Sequence, residues 1–374
     1  MPLRQSVLQI LSCLAISLAL VPQVQAKSLV DTDTWRVLQN GEERFLAGEL
    51  GEALAFSEKA SSMHARKIEG WVATLQASLS PKQVKKAGDD IGAVREPLKA
   101  RGDTSALYIV DEILKDNSGE YFGKSIGKML AWLEMNSVYP EADILAGKIY
   151  ESEGEPKLAL DKYRNAWKNR DFLDVPDSRY DLAYRMSDLS FDMGDYGACE
   201  KYLLSLLEGD PLFGKPGEES PSLRAMMQTL RTEESVDKFC LLYRHAAYRN
   251  LKAYQDLFSF YYEASNKRID RAFPVAVIAA ALSTTRLTEM LKRDDFEYAY
   301  TGIPDLFSRI GDNRELTDYA SKNRLWDSYV MLSTAMIAEG LTDQAQSLLD
   351  YVVSYCPDPL TVRKARAIQT RPGR

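Results

Sequence analysis

Residues 140–171 read PEADILAGKIYESEGEPKLALDKYRNAWKNRD, and the spacing within them decides the fold. Ala142, Leu145, Ala146, Ile149 and Tyr150 lie three or four positions apart, which puts them on one stripe of a helix. After Glu153-Gly154-Glu155-Pro156, the residues Ala159, Tyr163 and Ala166 repeat that stripe on a second helix. Gly154 can take the left-handed conformation that ends one helix, and Pro156 carries the fixed φ that suits the start of the next. A hairpin of two short helices cannot cover both of its apolar stripes by itself, so the pattern calls for stacked neighbours.

The same frame recurs three times. Over 34–67, Gly41, Gly48, Ala53 and Ala60 stand where Gly147, Gly154, Ala159 and Ala166 stand in the first stretch. Over 180–213 the matching residues are Gly194, Tyr196, Cys199, Leu203, Leu206 and Pro211. Over 326–359 they include Tyr329, Leu332, Met336, Gly340, Ala345, Leu349, Val352 and Pro357. Gly147, Tyr150, Gly154, Ala159, Tyr163 and Ala166 together resemble the signature of a tetratricopeptide (TPR) repeat, with Asp171 at the position of the closing proline and Asp143 at that of the early aromatic. The resemblance implies helix-turn-helix units of about 34 residues stacked into a superhelix whose concave face binds other proteins. The expected fold class is therefore all-α, an α-α superhelix (solenoid) of TPR-like helical hairpins running as one body over 27–374.

Between the repeats the periodicity remains helical. A helix over 68–79 is expected to stop before Pro81, followed by two helices parted at Gly102-Asp103 and a third carrying Ile126, Met129, Leu130 and Leu133. Leu107 to Val110 also suits a short strand, because brief apolar runs do not separate the two periods. Asp174 to Asp177 reads as an insertion, and Gly214, Pro216, Gly217 and Pro221 interrupt regular structure. Further helices are expected over 236–248 and 251–265, in the alanine-rich run 275–282, and as a terminal cap over 360–368, with Pro274 and Pro304 marking helix starts or kinks.

The N-terminus has a different character. Arg4 supplies a positive start, residues 7–21 are almost wholly apolar, and Val24-Gln25-Ala26 offers a small-residue cleavage site, so 1–26 reads as a signal peptide cut before Lys27. A retained membrane anchor is the alternative, although the run is short against the about 20 residues of a spanning helix. The expected location is the periplasm or cell envelope of a bacterium, with membrane anchoring or peripheral membrane association as alternatives. Past the leader, Cys199, Cys240 and Cys356 form an odd set that implies no disulfide framework. A net charge of −7 argues against nucleic acid as partner, since phosphate backbones are bound by clustered Lys and Arg.

Chemical motifs are sparse. Gly119 to Ser125 approaches a phosphate-binding loop but has Ser118 where the first glycine is required, so a nucleotide-dependent enzyme is a weak alternative and an inter-helix turn the better account. Of the two histidines, His64 is expected near a helix end, where a cation favours the dipole, and His245 lies five residues from Cys240, poorly placed for a Cys-His pair. No H-E-x-x-H, C-x-x-C, G-x-S-x-G or G-x-G-x-x-G occurs, and no catalytic residue, metal ligand or cofactor is indicated. The TPR resemblance instead implies a concave binding face on the first helix of each hairpin. On the two central hairpins it comprises Glu141, Ile144, Lys148 and Glu151, then Asp181, Tyr184, Asp188 and Phe191, with the two aromatics the strongest candidates. Noncatalytic protein binding or envelope scaffolding is the expected function. A small-molecule-binding or transporter-accessory role is the alternative, and it requires an apolar pocket with convergent polar groups.

Overall fold

The computed structural model describes residues 29 and 31–370, less 80–81, 83, 85–87, 116–121, 214–218, 233–234 and 264–267. The expected signal peptide and residues 119–121 of the loop that approaches a phosphate-binding motif lie outside this set. Among the described residues the protein is all-α, with helices packed in neighbouring pairs and no strand beyond an isolated bridge between Asp90 and Ser125. The segment 107–110 is helix rather than strand. By internal contacts the chain divides between Leu182 and Ala183 into two compact units.

In the first unit, α1 (Thr32–Leu46) and α2 (Leu50–Ser78) form a hairpin, as do α6 (Pro140–Ser152) and α7 (Pro156–Lys168). Between them in sequence run α3 (Ile91–Ala100), α4 (Thr104–Leu114) and α5 (Ile126–Met135). Gly147 shows why the frame needs a small residue. A Cβ there would stand 2.3 Å from the Tyr163 ring, which is fully buried and donates its hydroxyl proton to Glu151 Oε2 at 2.8 Å. In the first hairpin Ser57 takes the place of Tyr163 and donates to the Ala142 carbonyl at 2.7 Å.

Two expectations in this unit need correction. The helix expected at 68–79 is not separate: α2 is one element of 29 residues. No Gly or Pro interrupts Ala65 to Ile68, and the buried stripe Ala53, Ser57, Ala60, His64, Ile68, Val72, Leu75 keeps its spacing throughout. Its first half packs on α1 and α6, while its second half shares a core with Val94, Leu98, Ile109, Ile113, Met129 and Leu133 from α3 to α5. His64 consequently lies mid-helix, not near an end, and is buried with Nε2 2.6 Å from the Asn136 carbonyl. Burial pushes its pKa down and holds the ring neutral, so it is no cation for a helix dipole.

The division between units falls inside α8 (Ser178–Asp192). The second unit continues with α9 (Tyr196–Leu206), α10 (Pro221–Thr232), α11 (Val236–Leu242), α12 (Leu251–Glu263) and α13 (Ile269–Asp294). It closes with α14 (Ile303–Gly311), α15 (Arg314–Lys322), α16 (Asp327–Ala338), α17 (Thr342–Tyr355) and α18 (Pro359–Gln369). Helix α13 is the hub, contacting α10, α11, α12, α14 and α16. Its Ala276, Ala279, Ala280 and Ala281 are fully buried, and their small side chains let neighbours approach from several sides. Phe307 meets Trp326 and Tyr329 edge-on, with ring centroids 5.0 and 4.9 Å away.

The alanine-rich run 275–282 is thus the middle of a 26-residue helix, and Pro274 lies within it rather than at its start. Pro304, by contrast, does open α14. The helix expected over 236–248 ends at Leu242, after which 243–247 are non-helical. The His245 N–H there donates to Thr285 Oγ1 at 3.0 Å, a bond to α13 that replaces a continued helical ladder.

Candidate functional site

The second unit holds a cavity of about 530 Å³ to which three helices each contribute residues at helical spacing. Asp188, Phe191 and Asp192 come from α8, Tyr196, Cys199 and Leu203 from α9, and Asp256, Ser259 and Phe260 from α12. The α8–α9 turn sets the first two in register. Gly194 adopts φ 76°, the Asp195 N–H returns to the Ser190 carbonyl at 2.8 Å, and Asp195 Oδ1 accepts from Ala198 N–H at 3.0 Å to start α9. Glu200 ties α9 to α12 and the start of α13 by accepting the Tyr261 hydroxyl proton at 2.8 Å and pairing with Arg271 at 2.8 Å and Arg268 at 3.2 Å.

Aromatic surface is left open here. Phe191 is 46% exposed and Tyr196 48%, their ring centroids 5.4 Å apart in an edge-on contact, and Phe260 stands 6.2 Å beyond Tyr196. Asp188, Asp192 and Asp256 line the same cavity. Desolvation of the buried part of Asp188 holds its carboxyl above the usual range, with Asp256 and Asp192 adding repulsion against the pull of Lys252. Beneath them, Ser187 Oγ lies 3.2 Å from Cys199 Sγ, and burial pushes that thiol pKa up, away from a reactive thiolate. Aromatic faces beside three acids suit a ligand that is at once cationic and apolar.

Of the residues expected on a concave face, Asp188 and Phe191 line this cavity. Tyr184 does not: its hydroxyl donates to the Arg249 carbonyl at 2.9 Å and accepts from Ala253 N–H at 3.0 Å, so it fastens α8 to the start of α12. Asp181 is exposed in the first unit. There too, Ile144 and Lys148 are half-buried, Glu151 accepts from Tyr163, and Glu141 Oε1 accepts from the Asp174 N–H at 2.5 Å. Burial, and then the charge of Asp174, raise the Glu141 pKa to about 7. Sequence reading missed Asp192, Tyr196, Asp256 and Phe260. Spacing along α12 could have supplied Asp256 and Phe260, four apart, but nothing in sequence says that α12 packs on α9.

The remaining chemical candidates are placed as follows. His245 Nε2 lies 3.0 Å from Asp210 Oδ2, which also accepts from Asn250 Nδ2 at 2.9 Å. Cys240 is buried, accepts from Thr284 Oγ1 at 3.6 Å, and has its thiol pKa pushed up to about 11 by that burial. Cys199, Cys240 and Cys356 are all free. Phe122 is buried against Trp132, the Lys124 carbonyl accepts from Ile91 N–H, and Ser125 Oγ accepts from Lys128 N–H to begin α5, so the described part of the glycine-containing turn serves helix packing. Among the described residues no three His, Cys, Asp or Glu side chains are grouped to hold a metal ion, and no helix is long and apolar enough to cross a membrane.

Over 325 residues the sequence is 32% identical to an uncharacterized protein of Treponema pallidum (strain Nichols), a match covering 87% of this chain and 86% of that protein. The chain belongs to that protein's family. No family model matches it. Among solved structures, BtubC (BKLC) from P. vanneervenii is similar at 15% identity and a TM-score of 0.30, covering 85% of this chain and 94% of BtubC. The TPR domain of P58(IPK) is similar at 15% identity and a TM-score of 0.19, covering 91% of this chain and all of that domain.

Proposed function

We propose that this family member is a TPR-like, noncatalytic binding protein of the bacterial envelope, and that it docks a partner protein through the cavity between α8, α9 and α12. The observation that carries the reading is the pair Phe191 and Tyr196, each about half exposed at an acid-lined cavity. Large aromatics left in water cost burial energy that a partner recovers, and such residues dominate binding energy at interfaces. Asp256 is taken up by Lys252 and Arg324, so exposed Asp192, with Asp188 3.7 Å from Lys252, selects the partner's chemistry: a segment presenting Lys or Arg beside an apolar side chain. Export is supported by the composition of residues 1–26.

A photo-crosslinker placed at position 191 in living cells should yield one discrete adduct with an envelope protein. Asp188→Lys in the same chain should abolish it. Adducts spread over many proteins, or one indifferent to Asp188→Lys, would argue against docking at this face. A second reading is favoured by the cavity volume, which lies within the about 300–1,000 Å³ typical of small-molecule sites. In that reading a small organic amine protects the purified protein from heat while no adduct forms.

A further inference from the structure

A second cavity in the same unit, about 330 Å³, has the opposite character. Arg249, Lys252, Arg286, Lys322 and Arg324 all line it and, among the described residues, no carboxylate does, in a chain whose net charge is −7. Local concentration of one sign against the overall balance marks a site that selects its ligand by charge.

Not all of these cations are available. Lys252 pairs with Asp256 at 2.5 Å and with Asp188 at 3.7 Å, and Arg324 pairs with Asp327 at 3.2 Å and Asp256 at 3.4 Å. Arg286 and Lys322 have no carboxylate partner among the described residues. Arg286, on the central helix α13, is held in place: its guanidinium faces the rings of Tyr248 and Tyr319, 4.9 and 5.2 Å from their centroids. Its Nε and Nη2 donate to the Tyr319 hydroxyl oxygen at 3.1 and 2.6 Å. Because that oxygen accepts twice from Arg286, the Tyr319 hydroxyl proton points away from the guanidinium and is free to donate, and Arg286 keeps further N–H groups of its own. The first turn of α12, through Leu251 and Lys252, borders the same cavity, and the start of a helix favours an anion. Glu289, one turn further along α13, acts on Tyr248 and is not part of the lining.

We propose that this cavity binds a doubly charged oxyanion of the phosphate type, as free phosphate or as the phosphomonoester of a small molecule. Two cations without carboxylate partners are matched by a dianion, whereas a single carboxylate would leave one of them uncompensated. Arginine and tyrosine donors approaching from different sides suit the several oxygens of phosphate. The proposal goes beyond partner docking and needs no partner, so either can fail alone.

Calorimetric titration of the full chain with inorganic phosphate, glycerol 3-phosphate and acetate tests it. Phosphate or the monoester should bind with a Kd of about 1 mM or tighter, weakening as salt rises. Tighter binding of the monoester identifies an esterified ligand, and equal binding identifies phosphate itself. Arg286→Gln and Lys322→Glu should each weaken binding about tenfold or more, the loss of one charge-assisted contact. Lys322 is exposed, so its variant keeps the test decisive if Arg286→Gln fails to fold. Acetate binding as tightly as phosphate, absence of phosphate binding, or unchanged affinity in Lys322→Glu would overturn the assignment.

Discussion

Glu141 and Asp327 occupy the same place in two hairpins, each thirteen residues before the turn glycine, Gly154 in one and Gly340 in the other. The turns are alike. Gly154 has φ 76° and Gly340 φ 82°, and in both the next N–H reaches back five residues at 2.8 Å, Glu155 to Tyr150 and Leu341 to Met336. Ala159 and Ala345 are both fully buried. The carboxylates nevertheless meet opposite surroundings. Glu141 Oε2 is buried with no hydrogen-bond partner among the described residues and feels the repulsion of Asp174, while Asp327 pairs with Lys364 at 2.7 Å and Arg324 at 3.2 Å. Repeat spacing thus specifies the inside of a hairpin and leaves the first helix's other face to whatever packs beside it.

The largest effect should come from the helix–helix approach. Gly147→Ala drives a methyl into the Tyr163 ring and should lose about 3 kcal/mol in urea denaturation, against the usual gain of Ala over Gly in a helix. At the equivalent position of the later hairpin, Ser333 already carries a Cβ, so Ser333→Ala should change stability by less than about 1 kcal/mol. Equal losses at the two sites would show that the close approach of Tyr163 to Gly147 does not set the two hairpins apart.

The two carboxylates come next, with opposite signs. The folded-state pKa of Glu141, about 7, lies above its unfolded value of 4.5, so its contribution is fully present below pH 4.5 and is lost as pH rises through 7. Glu141→Gln should remove that loss and stabilise the protein by about 2 kcal/mol at pH 8, with little effect at pH 4.5. His64 works the other way: its lowered pKa gives stability above pH 6.5 that is lost as pH falls, so it cannot mimic the Glu141 signal. Asp327→Asn removes the partner of two cations and should cost about 1–2 kcal/mol at neutral pH. Thermal melts across pH, with the two variants shifting in the same direction, would erase the proposed distinction.

The smallest effect tests the likeness itself. Gly154→Ala and Gly340→Ala each force a Cβ into a left-handed conformation and should each cost about 1 kcal/mol. Since among the described residues neither site has an atom beyond its chain neighbours within 4 Å of the added Cβ, the two losses should agree, and a twofold disparity in chemical denaturation would mean that the turns differ in ways their geometry does not record.

How much was legible follows the same line. The turn glycines, the fully buried Ala53, Ala159 and Ala345, and the terminal helix α18 could be read from spacing, because helix periodicity and left-handed caps are local properties. Helix ends were legible where Pro or Gly enforced them and illegible where a distant bond did, as at Leu242, after which Thr285 captures the His245 N–H. The candidate site was half legible. Asp188 and Phe191 were visible as one face of a first helix, whereas Tyr184 stood on that face too and was consumed by packing.

The sequence alone therefore determined the helical class, the hairpin frame and the side of each helix that faces its partner, since these depend on residues within one or two turns of each other. Only the tertiary structure decided that α2 serves two cores, that α13 is enclosed on several sides, and that Tyr196 and Phe260 converge on Asp188. Those outcomes turn on which helices become neighbours after distant parts of the chain come together, and one chain's periodicity carries no information about that choice.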